Sequence, residues 1–281
     1  MRAYIALTTV IVTFLSTTSI GISTDKHLKT IDNVVAIAVD GIREEDAEIP
    51  FKTAFRGLVH RGYYYYWYGK SHNCTVGQPH NISLPAYANF FTGTVDPRIS
   101  TNEFKGKLKK KTLFDLYPDS QLFASWEPLK RIMSDSSEVQ ENAIIYSYRS
   151  FPRMGDDDLV VQAYRAIYLK PRFAFVHFVD ADNYAHNRDY VRYKKSVYSE
   201  AYHTLEVIKH TESVLPDAGK LYIVFTDHSR GNFLKWHSHG PWIPESRNIW
   251  VMMISSVPLP YSMAFCDHTM LNAIIRSSII P

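Results

Sequence analysis

The chain alternates short apolar runs with longer stretches whose apolar positions recur at helical spacing. Residues 34–39 form an unbroken apolar run that ends at Asp40 and Gly41. A run with no polar position is how a strand reads when both of its faces are covered, as in a parallel sheet. Residues 173–179 and 221–225 are further strands, and 121–125, 143–146 and 249–254 are shorter candidates. The tyrosine-rich run 63–68 is a further strand, better explained by packing than as a ligand platform. Helices are predicted over 85–91, with Pro85 near the first turn, and over 156–169, with Asp156, Asp157 and Asp158 at the positive end. Residues 190–212 and 267–275 also have helical composition. Strands alternating with helices predict an α/β fold, a mainly parallel central sheet with helices on both faces.

One regularity points to chemistry. Three separate apolar strands end in acids or histidines: first Asp40, then Asp182 with His186, then Asp227 with His228. Open α/β sheets place their sites at the carboxyl ends of strands, so these residues are expected to gather on one edge. Asp182 and His186 are four apart, a spacing that lets both face one ion. Asp227 and His228 are adjacent, so their side chains are expected to diverge, which suits a pair of ions better than one, or one ligand reaching in from each side. His239, in the sequence Trp236-His237-Ser238-His239-Gly240, could close a site, and His237 competes with it for that role. Mixed imidazole and carboxylate donors favour zinc, with manganese or iron next, over magnesium or calcium.

Composition narrows the setting. Hydrophobic residues are 46% of the chain and charged residues 21%, a globular profile. The formal charge of +3 gives no reason to expect nucleic-acid binding. Lys105, Lys107, Lys109, Lys110 and Lys111 read as a solvated loop, with a docking patch for an anionic surface or substrate as the alternative. Residues 1–24 carry Arg2, an apolar stretch over 3–15, and the small residues Ser19 and Gly21. That is the pattern of a secretory signal peptide, with an uncleaved anchor as the alternative. Residues 25–281 are then one exported domain, secreted or periplasmic, with no other membrane span. Cys74 and Cys266 lie far apart in sequence, so whether they pair stays open. Asn73-Cys74-Thr75 and Asn81-Ile82-Ser83 fit the glycosylation pattern, and Asn81 is expected to carry no sugar.

Four segments, in order, resemble the alkaline phosphatase superfamily, and most closely its nucleotide pyrophosphatase/phosphodiesterase and sulfatase-like branches. Residues 34–41 resemble the first strand with its metal-binding aspartate. Ser83-Leu84-Pro85, followed by a helix that closes at Thr92-Gly93, resembles the nucleophile segment. Asp182 with His186 resembles the DxxxH ligand pair, and Thr226-Asp227-His228 followed by His239-Gly240 the final ligand set. The resemblance implies that Asp182, His186 and His239 hold one divalent ion and that Asp40, Asp227 and His228 hold another. Zn2+ is the first choice for both, Mn2+ the second. Ser83 would sit between the ions as ligand and nucleophile and attack a small-molecule phosphate ester, mono- or diester, to form a phosphoseryl intermediate.

Departures from the family pattern sharpen this reading. Tyr87 stands where sulfatases carry the arginine that directs formylglycine formation, so Ser83 is expected to remain serine. Ala86 replaces the asparagine common after the proline in the phosphodiesterase branch. Asn89, Arg43 or a backbone N–H at the start of the Ser83 helix are the candidate phosphate contacts in its place. Ser229 replaces a common glycine. Asp180 is read as structural, and His72, His80, His177, His203, His210 and His268 as ordinary surface or core histidines. Specificity is assigned to loops 94–118 and 126–140. The alternatives are a sulfatase or phosphonate hydrolase, and a catalytically inactive binding protein on the same fold. Nothing in the sequence sets the oligomeric state.

Overall fold

A computed structural model describes residues 30–59, 61–77, 80–145, 155–259 and 266–279. The expected signal segment and Tyr146 lie outside the described residues. Seven strands form one sheet: β1 (Asn33–Val39), β2 (Tyr64–Tyr68), β3 (Gln121–Ala124), β4 (Ala143–Ile145), β5 (Phe173–Phe178), β6 (Lys220–Phe225) and β7 (Val251–Ser255). Their spatial order is β2-β7-β6-β1-β5-β3-β4. The pairs from β6 through β4 are parallel, whereas β7 runs antiparallel to both β6 and β2. The three strands that end in acids or histidines are therefore neighbours at the centre, β6-β1-β5.

The continuous apolar runs are explained by two cores. Val34, Ala36 and Ala38 of β1 face one of them, and Val35, Ile37 and Val39 face the other. A strand's side chains alternate between faces, so covering both faces leaves no position for a polar residue. The first face carries α2 (Ser83–Thr92), α3 (Leu113–Leu116), α4 (Pro128–Met133) and α9 (His268–Ser278). The second carries α1 (Glu44–Val59), α6 (Asp156–Ile167), α7 (Asp180–His186) and α8 (Tyr190–Val214), while α5 (Ser137–Gln140) is a short surface turn. Helix α1 was not expected. Pro50 lies inside it, and an internal proline normally argues for a break. Burial of Ala47, Phe51, Phe55 and Leu58 on one side outweighs that penalty.

Cys74 and Cys266 form a disulfide, with Cα atoms 4.4 Å apart across a separation of 192 residues. It ties the segment before α2 to the segment before α9. The run Lys105 to Lys111 lies in an exposed loop, as expected. Among the described residues no helix is long and apolar enough to cross a membrane.

Candidate active site

Asp40 follows β1, Asp227 and His228 follow β6, and Asp182 and His186 lie on α7 directly after β5. Parallel pairing in register brings these strand ends to one edge of the sheet. His239 arrives from the loop beyond β6, and Ser83 is the first residue of α2. Two groups of possible ligand atoms result, Asp182/His186/His239 and Asp40/Asp227/His228. Within each group the atoms lie within 4.8 Å of one another. In the first, His186 Nε2 is 3.2 Å from Asp182 Oδ2 and 3.1 Å from His239 Nε2. In the second, His228 Nε2 is 3.4 Å from Asp227 Oδ2 and 3.7 Å from Asp40 Oδ1. Asp227 and His228 thus converge, contrary to the expectation that adjacent side chains would diverge. The chain turns sharply after β6, where the Thr226 hydroxyl donates to the His228 carbonyl at 2.8 Å.

The two groups abut. The rings of His228 and His239 stack with centroids 3.7 Å apart. Ser83 Oγ lies 3.2 Å from His228 Nε2, inside the second group. Ser83 also lines a cavity of about 100 Å3 together with Asp40, Asp182, His186 and His239.

The protonation pattern suits a cation. His239 Nδ1 sits 3.0 Å from the Asn81 carbonyl, and His228 Nδ1 lies 3.0 Å from that of Ser229. Each ring therefore donates from Nδ1 and keeps its Nε2 lone pair for the site. Burial, with His228 and Arg230 nearby, pushes His239 down to about 2, and burial also lowers His228 and His186. All three imidazoles are neutral, as a metal ligand must be. Burial raises Asp40, but the group is held below the usual carboxylate range, with the hydrogen bond from His177 the largest lowering cause. Burial and the adjacent Asp40 charge push Asp227 well above that range. Two buried carboxylates in contact cannot both ionise without a positive partner. Asp40 Oδ1 and Asp227 Oδ2 have no hydrogen-bond partner although both are fully buried. Orphaned oxygens of this kind are costly unless a cation takes them, so the residues present fit a bound metal.

Supporting residues were missed or misread in the sequence. His177, read as ordinary, is fully buried and places Nε2 3.0 Å from Asp40 Oδ2, which also accepts from the Tyr87 hydroxyl at 3.1 Å. Together they fix that oxygen and turn Oδ1 toward the site. The available signal was a lone polar residue inside an otherwise apolar strand. Arg230, three residues after Asp227, is buried; it ion-pairs with Asp182 Oδ1 and donates to the Gly41 carbonyl at 2.7 Å. Asp182 is thereby oriented with Oδ2 toward His186. His237 belongs to neither group, and its carbonyl accepts from Arg230 at 3.0 Å.

The expected phosphate contacts are not where the sequence placed them. Arg43 is engaged by Asp46 and Glu45. Asn89 is buried on α2 and does not line the cavity. The Leu84 N–H is already bonded to Asn102 Oδ1 at 3.0 Å. Asn102, Trp126 and Asn183 line the cavity instead. The first two come from the loops to which specificity was assigned. Asn81 is fully buried, with its amide donating to Ser246 Oγ at 3.1 Å, which leaves no room for a glycan.

Asp180 takes no part in either group. It belongs to a set beneath α7. Asp156 accepts from the N–H groups of Val179 and Asp180 at 3.1 and 3.0 Å, and Glu200 Oε1 accepts from Ala181 N–H at 2.7 Å. These are first-turn donors, which a helix leaves unpaired. Asp180 Oδ2 accepts in return from the Asp156 N–H at 3.2 Å. The acids thus hold the helix that presents Asp182 and His186.

The chain has an α/β fold like that of alkaline phosphatase, with a mainly parallel central sheet. No family profile matches it and no curated protein sequence matches it. Solved structures do. It is similar to the C-terminal periplasmic domain of EptC from Escherichia coli, with TM-score 0.56 and 9% identity over 84% of this chain and 80% of that one. The corresponding domain of the phosphoethanolamine transferase EptC from Campylobacter jejuni gives TM-score 0.53 and 9% identity over 81% and 80%. A mutant alkaline phosphatase from the Antarctic bacterium TAB5, with Mg bound in its M3 site, gives 0.54 and 10% over 89% and 98%. At such identities the likeness establishes the fold.

Proposed function

We propose that this chain is an exported, metal-dependent hydrolase of phosphate esters that works through a phosphoseryl intermediate on Ser83. One observation carries the reading: the Ser83 hydroxyl lies 3.2 Å from His228 Nε2, at a cavity lined by members of both ligand groups. Asp182, His186 and His239 would hold one ion and Asp40, Asp227 and His228 the other. The donor set of three imidazoles and three carboxylates suits zinc, then manganese. Bound there, such ions supply positive charge to the phosphoryl oxygens and favour the deprotonated serine.

The chain's own groups do the rest. Ser83 Oγ bonds to phosphorus as the ester oxygen departs, and water then replaces the serine oxygen and releases phosphate or a monoester. Asn102 orders the start of α2 through Leu84 N–H and lines the cavity that receives the phosphoryl group. At about 100 Å3 that cavity suits the phosphoryl group alone and leaves the remainder of a small-molecule ester outside. Tyr87 serves Asp40 and no arginine stands at its place, which supports an unmodified serine and phosphate over sulfate as substrate. The disulfide supports export to an oxidising compartment.

The test is turnover of mono- and diester nitrophenyl phosphates by zinc- or manganese-loaded protein. Ser83→Ala is expected to lose about a thousandfold in kcat with metal content unchanged. No turnover of either ester by protein carrying both ions would end the hypothesis. One fold neighbour is a phosphoethanolamine transferase, and half-exposed His186 leaves the mouth open to acceptors other than water. Product analysis with an added alcohol separates transfer from hydrolysis.

A further inference from the structure

The segment from Gly231 to Trp242 carries three large apolar side chains in nearly full contact with water. Phe233 is 91% exposed, Leu234 90% and Trp242 89%, the highest values for large apolar residues among the described positions. The segment is built rather than loose. Gly231 N–H donates to the Ser238 carbonyl at 3.0 Å, and the Lys235 and Trp236 N–H groups close a helical turn onto Asn232 and Phe233 at 2.9 and 3.2 Å. Trp236 roots it, with ring contacts to Tyr190 at 5.0 Å and Tyr193 at 5.6 Å. Phe233 adopts φ 44°, a left-handed conformation unfavourable for an aromatic residue. The chain thus holds an ordered turn that places apolar groups where they gain no burial. Single exposed apolar residues are ordinary, but three on one ordered excursion mark a contact surface.

Charge selects the partner. Lys235 follows Leu234 directly and is exposed. Exposed Arg188 acts electrostatically on His237 of the same excursion, and Glu45, the acid in the cavity beside Phe233, is paired with Arg43. Apolar tips that include a tryptophan, with Lys235 and Arg188 close by, match an interface of acyl chains beneath anionic headgroups. We infer that this excursion docks the protein on the surface of an anionic lipid bilayer, with Phe233, Leu234 and Trp242 entering the headgroup region and Lys235 and Arg188 meeting lipid phosphates. The inference does not depend on the catalytic reading. His239 lies on the same excursion, so docking would bring the metal-ligand edge near the lipid surface.

The experiment is co-sedimentation of the full chain with phosphatidylcholine vesicles, with and without phosphatidylglycerol. Wild type is expected to pellet with the anionic vesicles and to be released by salt. The F233S/L234S/W242S variant is expected to lose at least about tenfold in partitioning, with its melting temperature unchanged. K235E is expected to weaken binding several-fold on anionic vesicles alone. The N-terminal apolar stretch is present in every variant, so the comparison isolates the excursion. Equal pelleting of wild type and the triple variant would overturn the inference. So would a wild-type dimer that the triple variant abolishes without any vesicle binding, because the surface would then join two copies of the chain. Turnover of a soluble nitrophenyl ester, measured in parallel, reports on the active-site proposal separately.

Discussion

At the ends of β1 and β6, Asp40 and Asp227 lie buried against His228; beneath α7, Asp156, Asp180 and Glu200 gather around another junction of strand and helix. In sequence Asp40 and Asp227 look like Asp156 and Asp180, acids that follow apolar strands or open helices. Their oxygens are used differently. The lower set spends its oxygens on the N–H groups of Val179, Asp180 and Ala181, leaving Glu200 Oε2 without a hydrogen-bond partner. Burial and the neighbouring acids push Asp156 up to about 8 and Glu200 well above the usual range, so this pair retains a proton. The upper set leaves Asp40 Oδ1 and Asp227 Oδ2 free and adds imidazole nitrogens aimed the same way. Where a buried acid's oxygens go, rather than its burial, separates a ligand from a strut.

The largest effect that tests this contrast is on turnover. Asp182→Ala and Asp227→Ala are each expected to cut kcat by about a thousandfold or more and to remove one ion per chain, read by metal analysis. Asp156→Ala should behave in the opposite way. It unpairs the Val179 and Asp180 N–H groups, and is expected to cost about 2–3 kcal/mol in denaturant unfolding while the protein still loads both ions. If Asp156→Ala abolished metal binding in protein that remained folded, the distinction between the two sets would fail.

A smaller signature is pH dependence of stability. Asp156 has a folded pKa of about 8, above the ordinary carboxylate range, so the fold favours its protonated form. Its contribution is full below the ordinary range and is lost as pH rises toward 8. Melting temperature is therefore expected to decline between mildly acidic and mildly alkaline pH, and Asp156→Asn to flatten that slope. A slope unchanged in Asp156→Asn would assign it to another group. The smallest effect is expected for Tyr87→Phe. It removes one of two donors to Asp40 Oδ2, about 1 kcal/mol, and should lower kcat less than tenfold because His177 still holds that oxygen.

Much of the fold was legible because burial on both faces writes itself as apolar runs: β1 and β6 were read from unbroken runs, and β5 from one interrupted only by His177. Helix α1 was not, because Pro50 imitates a break that packing of Phe51 and Phe55 overrides. The six expected ligand residues could be picked out because each follows an apolar strand or lies in the loop beyond one, but their grouping came from the resemblance. The supporting residues left weaker marks. His177 was a single polar residue among apolar ones, Arg230 an arginine in a turn, and Asn102 one amide in a long loop.

By itself the sequence determined the alternation of strands and helices, the parallel centre of the sheet, and which strand ends carry acids and histidines, because periodicity and strand termination are local properties of the chain. Only the tertiary structure decided that His177 lies against Asp40, Arg230 against Asp182, Asn102 at the head of α2, and Cys74 beside Cys266. Those contacts follow from strand register, such as Ala38 opposite His177, and from loop paths that bring distant residues within hydrogen-bond range. Hydrogen bonds and ion pairs act over a few ångströms, a scale on which separation along the chain carries no information.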